Sequence, residues 1–341
     1  MSILVTGGAG FIGSHFIEHL LATTDEPIVC LDNFNDYYSP ALKRANVAAF
    51  ADHPRVTVVE GSFCDCAAMR RLLRDQRIRR IVHLGAYAGV RPSVANPFIY
   101  EQTNVGGSLS LLEAARGLPI ERFLLISSST VYGRASAVPF VEDAPLGIPL
   151  SPYGATKRAA EIMALTYHDL HRLPVVCLRP FSVYGPRLRP DLALSIFAEA
   201  ILTGRSLPLF GDGSARRDFT HVHDICQGLA AALQRPNLEG QTINLGHHQP
   251  IEMREVIAAL EEALGCKAQI EHLPARSEDM AATCADLSKA QRLLDYRPIV
   301  PFEDGLRGFA EWFRCHHSSA AQPSAKTGKR IRHRIVSAPR R

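Results

Sequence analysis

Tyr153 and Lys157 stand four residues apart in the run Ser151-Pro-Tyr-Gly-Ala-Thr-Lys157. On a helix that spacing puts both side chains on one face, so a phenol and an ammonium share one neighbourhood. A phenol with an ordinary pKa of about 10 accepts protons poorly at neutral pH, and an adjacent cation favours its phenolate. With an oxidised nicotinamide beside the pair, proton and hydride can leave one carbinol together. A second polar run, Ser127-Ser128-Ser129-Thr130-Val131-Tyr132-Gly133, follows the apolar stretch Phe123 to Ile126. Such hydroxyls at a strand end ordinarily satisfy backbone groups in a turn. If the helix bearing Tyr153 faces the same space, one of them also reaches the carbinol.

Chemistry of this kind needs a dinucleotide held in place, and the start of the chain has the parts for one. Ile3 to Thr6 reads as a buried strand, and Gly7-Gly-Ala-Gly10-Phe-Ile-Gly13 follows it directly, opening a helix that runs to about Leu21. Small residues at 7, 10 and 13 let the backbone approach a pyrophosphate, and the helix N-terminus offers it free N–H groups and positive dipole. Ile28 to Leu31 is a second strand ending at Asp32, about 20 residues on, where a carboxylate binds ribose hydroxyls and repels a 2′-phosphate. NAD is therefore expected rather than NADP, held by Gly7, Gly10, Phe11, Ile12, Gly13, Asp32 and Lys157.

Beyond this the chain alternates. Val56 to Val59, Ile81 to Leu84, Phe123 to Ile126 and Val175 to Leu178 read as strands, with a helix near Ala67 to Arg74 and a long one after Pro92. Alternation implies a parallel sheet covered on both faces, with ligands outside the carboxyl ends of its strands. The expected fold is α/β: a Rossmann-type doubly wound parallel sheet with a smaller C-terminal α/β substrate-binding domain. Residues 1–180, with about 220–250 returning to them, would carry NAD. Residues 181–315 would be mainly substrate-binding, and 316–341 a disordered basic tail.

These residues resemble the extended short-chain dehydrogenase/reductases, and within them the nucleotide-sugar epimerases. The resemblance spans about residues 1–315 and rests on the glycine loop, His83-Leu-Gly-Ala86, Ser128 to Gly133, Tyr153 with Lys157, Arg179-Pro-Phe-Ser182-Val-Tyr-Gly-Pro186 and Arg217-Asp-Phe-Thr220. It implies a tightly held NAD, catalytic Ser128, Tyr153 and Lys157, and a homodimer formed through two helices per subunit. Dehydratases and decarboxylases of the family carry an acid just before Val-Tyr-Gly, whereas Ser129 and Thr130 stand here, so elimination lacks its acid and base. Simple 4-epimerisation remains.

The finer resemblance is to UDP-glucuronate 4-epimerases, through Asp32-Asn-Phe-Asn-Asp-Tyr-Tyr38, Ala88-Gly-Val-Arg91-Pro-Ser93 and Arg187-Leu-Arg189-Pro-Asp191-Leu-Ala-Leu194. Ser182 fits a carboxylate-bearing sugar, where epimerases of neutral hexoses usually carry asparagine. Ser127, Ser129 and Ser182 would donate to the C6 carboxylate, with Arg91 as a nearby charge. Arg189, Arg217, Arg276 and Asp279 are the other expected substrate contacts, arginine suiting phosphate because its planar fork donates in pairs. Asp65 is open to two readings, a contact to adenine or the N-cap of the following helix. Tyr87 and Gly85 depart from the family's glutamine and alanine. Two other readings stay open, a 4-epimerase of neutral UDP-hexoses and a non-catalytic nucleotide-sensing module.

A 4-keto sugar with a carboxylate beta to the carbonyl readily loses carbon dioxide, so such a site must hold the carboxylate out of alignment with the carbonyl π system. His83 reads as structural; His221 and His223 alternate as strand residues do and invite a metal reading, but nothing supplies the remaining ligands at typical spacing and the chemistry needs none, so no metal is expected. At 341 residues and 46% hydrophobic content the chain can build one large α/β domain and a smaller one. No stretch reaches the length of a membrane span, and the immediate start on a strand suggests a cytosolic protein. The eight cysteines include no Cys-x-x-Cys and read as free thiols. Of the net charge of +4, the stretch 318–341 carries seven basic residues and no acid, so the rest of the chain is −3. Without interleaved aromatics that tail reads as a solvated extension, and neither nucleic acid nor membrane is an expected partner.

Overall fold

The structure, a computed structural model, describes residues 2–134, 137–275 and 279–320. Short apolar runs become strands, most of them followed by a helix. The chain begins β1 (Ser2–Thr6), α1 (Phe11–Thr23), β2 (Ile28–Asp32), α2 (Pro40–Ala48), β3 (Val56–Glu60), α3 (Cys66–Asp75) and β4 (Ile78–His83). After an interrupted helical stretch come β5 (Arg122–Ile126) and β6 (Val175–Pro180), and the last strand of the same sheet is β10 (Thr242–Leu245). The order is β10-β6-β5-β4-β1-β2-β3, with every neighbouring pair parallel. All residues of β1, β2, β5 and β6 are buried, as required of strands covered on both faces. Strand order reverses between β1 and β4, whose ends Thr6 and His83 are register partners, so the expected ligand crevice opens there.

His83 fixes that switch point. Its Nδ1 lies 2.7 Å from the Thr6 hydroxyl and its Nε2 3.0 Å from that of Ser108, while burial pushes its imidazole down to about 3. A ring neutral at every physiological pH suits a structural role.

The long helix expected after Pro92 is broken into α4 (Val90–Ala95), α5 (Pro97–Tyr100), a π-helical turn Glu101–Gly107 and α6 (Ser108–Ala115). Pro97 is the cause: it lacks an N–H and disfavours the helical region for Asn96, which sits at φ −140°. Packed against this interrupted stretch and β6 stands α7 (Pro152–His171), opened by Pro152 at its first position and by the Ser151 hydroxyl, which accepts the Gly154 N–H at 3.2 Å.

The remaining elements are β7 (Ser182–Tyr184), α8 (Ala193–Thr203), β8 (Ser206–Phe210), β9 (Arg216–His221), α9 (Val222–Gln234), β11 (Pro250–Glu252), α10 (Met253–Leu264), β12 (Gln269–Leu273), α11 (Ser288–Leu294) and α12 (Phe302–Ala320); α9 packs on α1 and the large sheet with α11 beside it, while β7, α8, β8 and β9 contribute to the other side of the crevice. Their strands form a three-stranded sheet, β11-β9-β7, and a parallel pair, β12-β8. Asp218 of β9, fully buried, clasps the N–H groups of His247, His248 and Ala285 at 2.7 to 3.1 Å. His221 and His223 do not share a strand, because β9 ends at His221, whose Nδ1 accepts the His223 N–H and caps α9. The last helix continues beyond the expected end near Cys315 to Ala320, no proline or glycine intervening before Pro323; residues 321–341 of the basic tail lie outside the described residues. Among the described residues no helix is long and apolar enough to cross a membrane.

Candidate active site

At the switch point the glycine loop folds against β4. Gly7 has φ +67°, and a Cβ there would lie 2.9 Å from the Gly85 backbone; one at Gly13 would lie 2.2 Å from the Gly7 carbonyl oxygen. Side chains are thus excluded from the loop. Gly10 caps α1 without a side-chain bond, leaving the first N–H groups of the helix to an outside acceptor. Asp32 accepts from the Ala9 and Phe34 N–H groups at 3.2 and 2.9 Å; burial pushes its carboxyl up, opposed first by Lys43 and then by these bonds. A bare backbone cradle at a helix N-terminus, with a carboxylate ending the next strand, fits the pyrophosphate and ribose of NAD.

Lys43 was invisible in the sequence, where it reads as one more solvated helix cation. It is buried, with Nζ 3.9 Å from Asp32, bonded to the Asn35 carbonyl at 3.0 Å and 5.0 Å above the Tyr38 ring. Only tertiary packing distinguishes it from its exposed neighbour Arg44.

The cradle opens into a cavity of about 570 Å³ whose wall includes Ser128, Tyr153 and Lys157. Tyr153 lies in the first turn of α7, its N–H bonded to the Ser93 hydroxyl at 3.1 Å. Burial raises the phenol; the hydrogen bond from Ser128 lowers it, as does the charge of Arg189, and Tyr100 raises it slightly further. Ser128 is in turn fixed by Thr130, whose N–H and hydroxyl donate to it at 3.2 and 3.0 Å. Burial pushes Lys157 down to about 8, against the opposing pull of Glu161.

The site therefore contains a second cation that the Tyr-Lys spacing does not announce. Arg189 grips Asp191 with Nε and Nη2 at 2.9 and 2.6 Å and also reaches the Ala88 carbonyl at 3.3 Å. Tyr37 donates to that carbonyl at 2.5 Å and to Asp191 at 3.2 Å. Three segments distant in sequence, around residues 37, 88 and 189, meet in this knot beside Tyr153.

Ser127, Ser129 and Ser182 all line the cavity. The Ser127 hydroxyl is buried and has no hydrogen-bond partner among the described residues. Arg91 and Arg217 also line it, as does Asp279, but the structure groups Arg91 with the latter two: it lies 3.8 Å from Asp279 and stacks 4.6 Å over Phe210. Arg217 senses both of these charges. Arg276 lies outside the described residues. Of the two readings open for Asp65, the structure shows the N-cap: its Oδ1 accepts the Ala68 N–H at 2.9 Å, and it is not among the residues lining the cavity. No three His, Cys, Asp or Glu side chains among the described residues converge as metal ligands.

Both family departures have visible packing. A Cβ at Gly85 would fall 2.6 Å from the Phe63 ring, so glycine makes room for that phenylalanine. Tyr87 lines the cavity edge-on to Tyr37 and Tyr100, with centroids 5.4 and 5.8 Å away, and Tyr100 stands 6.2 Å from Tyr153. Asn104, in the π-helical turn, escaped the sequence reading. It bonds the Tyr87 backbone at N–H and carbonyl, 2.8 and 2.9 Å, and donates to Thr156, the residue before Lys157, at 3.1 Å.

The family described as GDP-mannose 4,6 dehydratase matches residues 4–309. The UDP-glucuronate 4-epimerase of Thermodesulfobacterium geofontis is 37% identical over 310 residues, 91% of this chain and 95% of that one. UDP-glucuronate 4-epimerase 4 of Arabidopsis thaliana is 36% identical, covering 96% of this chain and 78% of its own length. Among solved structures, UDP-glucuronic acid 4-epimerase from Bacillus cereus, in complex with UDP-glucuronic acid and NAD, superposes with a TM-score of 0.88 at 36% identity, over 93% of this chain and all of that one. DesIV, a dTDP-glucose 4,6-dehydratase from Streptomyces venezuelae with NAD and TYD bound, superposes with a TM-score of 0.87 at 33% identity, over 94% and 98%.

Proposed function

The chain belongs to the GDP-mannose 4,6-dehydratase family of short-chain dehydrogenase/reductases, and from that membership we propose that it is an NAD-dependent 4-epimerase converting UDP-glucuronate to UDP-galacturonate. The observation that carries the reaction type is the pairing of a Ser128-bonded Tyr153 with hydroxyls, not acids, at positions 129 and 130. The observation that favours a uronate is the buried, unpartnered hydroxyl of Ser127 on the cavity wall with Ser129 and Ser182.

NAD held in the glycine cradle supplies the acceptor, and in reduced form the donor, of a hydride. Tyr153 takes the C4 hydroxyl proton, helped by the Ser128 hydrogen bond and by the fields of Lys157 and Arg189, which favour phenolate over phenol. Hydrogen bonds from Ser127, Ser129 and Ser182 turn the carboxylate of the 4-keto sugar away from the alignment that releases carbon dioxide. Arg217 and Arg91, set by Asp279, anchor the diphosphate and ribose while the keto sugar turns. Tyr153 then returns its proton to C4 oxygen on the opposite configuration. In this division of labour residues 1–180 with about 220–250 carry the cofactor, and 181–315 mainly grip the nucleotide. The same reading includes a homodimer: the outer face of α7 exposes Ile162 and Leu170, apolar side chains suited to a helix-helix contact.

Incubation of the purified protein with UDP-glucuronate, UDP-glucose and UDP-N-acetylglucosamine separately, followed by chromatography and mass, tests this. An isobaric UDP-galacturonate peak is expected from the first alone, and Ser127→Ala is expected to slow its formation about fivefold and release a decarboxylated keto-pentose by-product. Turnover of only the neutral sugars would shift the assignment to them, and inertness toward all three would leave a nucleotide-sensing module.

A further inference from the structure

Below the reacting end of α7, the helix continues its charged face inward. Tyr153, Lys157 and Glu161 follow at intervals of four; Tyr153 lines the cavity, and Lys157 and Glu161 are buried behind it. Glu161 is buried, as is its partner Arg179 on β6; the guanidinium clasps the carboxylate through two bonds of 2.9 Å each. Arg179 also stacks 4.8 Å over the Tyr132 ring. Three buried charges thus lie in series behind the phenol: cation, anion, cation.

A buried ion pair is weak evidence for stability, since desolvating both partners offsets most of their attraction. Its position next to a buried lysine gives it another use. Lys157 is buried; Glu161, one turn further along its own helix, and after it the Cys177 thiol on β6 act on its charge, and its own charge is felt by His83 on β4. Burial raises the Cys177 thiol and lowers the His83 imidazole, so both are neutral near pH 7. Glu161 is then the one negative charge among these groups, and Arg179 shares it.

We propose that Glu161 is a positioning residue for the chemistry assigned above: its carboxylate keeps the Lys157 ammonium charged behind Tyr153, and Arg179 limits how strongly. This rests on the epimerase reading for its consequence in turnover, but not for its consequence in the titration of Lys157. The Arg179 contribution gives the idea a sign. Removing the acid makes Lys157 lose its proton at lower pH, whereas removing the competing cation leaves the whole carboxylate to Lys157 and makes it hold the proton to higher pH.

The test is the alkaline limb of the pH profile of kcat for UDP-glucuronate, measured on the intact protein and on Glu161→Gln and Arg179→Met. In parallel, the full-length protein labelled with ¹³Cε-lysine is titrated by NMR, with the Lys157 signal assigned through Lys157→Arg. The limb and the Lys157 titration are expected to move down by about one pH unit in Glu161→Gln and up in Arg179→Met. Should either single variant fail to fold, the double variant Glu161→Gln/Arg179→Gln removes both charges together, and a smaller downward shift is expected. A merely structural pair would lower activity in the variants without moving the limb, and that result, or shifts of the same sign in both single variants, would overturn the proposal. If the unaltered protein leaves UDP-glucuronate unconverted, the epimerase reading fails while the lysine titration still decides this one.

Discussion

The two walls of the cavity are built in different ways. On the sheet side, each functional group is supplied by a short contiguous run, and its place follows from the backbone: three glycines around a helix start, a serine at a strand end, a phenol and an ammonium one helical turn apart. Charges there are buried, as in the Arg179–Glu161 pair at 5% and 4% exposure. On the opposite wall the cations come from elements distant in sequence and stay partly wet. Arg91 and Asp279 pair at 46% and 33% exposure, and Phe210 and Arg217 complete the group from two further strands. Groups that must meet reacting atoms are buried and fixed, while groups that hold a charged nucleotide can exchange water for phosphate with little rearrangement.

Removing chemistry from the rigid wall should be the most costly change. Tyr153→Phe is expected to lower kcat by about a thousandfold with its thermal midpoint unaltered, since only the phenolic oxygen is lost. Steady-state kinetics and a thermal melt check both halves of that statement. Gly13→Ala should follow: its new methyl meets the Gly7 carbonyl at 2.2 Å, so the loop must open, and the NAD retained through purification is expected to fall about tenfold or more. On the wet wall, Arg217→Met should raise KM about tenfold while kcat stays within about twofold, because it removes binding shared by ground and transition states. A large fall in kcat there would erase the contrast between the walls.

The smallest effect is silent at neutral pH. His83 is held neutral in the fold and has an ordinary imidazole pKa once unfolded, so its folded value is the lower one and the unfolded chain binds the extra proton. Its contribution is therefore present above pH 6.5 and lost as pH falls toward 3, at up to about 1.4 kcal/mol per pH unit. Urea unfolding of the intact protein and of His83→Phe across that range should show a shallower acid slope in the variant.

The rigid wall was largely legible in the sequence because its signals are local. Gly7, Gly10, Gly13 and Asp32, and Tyr153 with Lys157, each need only a few residues to be recognised, and the strand alternation fixed the sheet that carries them. The other wall resisted for the opposite reason. Arg189 was identified, but not its grip on Asp191 or its field at Tyr153, since these depend on how three loops fold over one another. Lys43 and Asn104 gave no signal at all: burial makes the first, and a π-helical turn after Pro97 places the second. Asp65 had two equally good readings, and the structure shows one of them, the N-cap, through one backbone N–H.

The central claim is that proton and hydride are exchanged at C4 alone, the proton through Tyr153 and the hydride with NAD. UDP-glucuronate carrying deuterium at C4, incubated with the protein in ordinary water, tests it most directly, with product read by mass and NMR. The account predicts UDP-galacturonate that keeps its deuterium at C4 and gains no solvent hydrogen at C5. Deuterium washed out to solvent, or a product altered at another carbon, would contradict it.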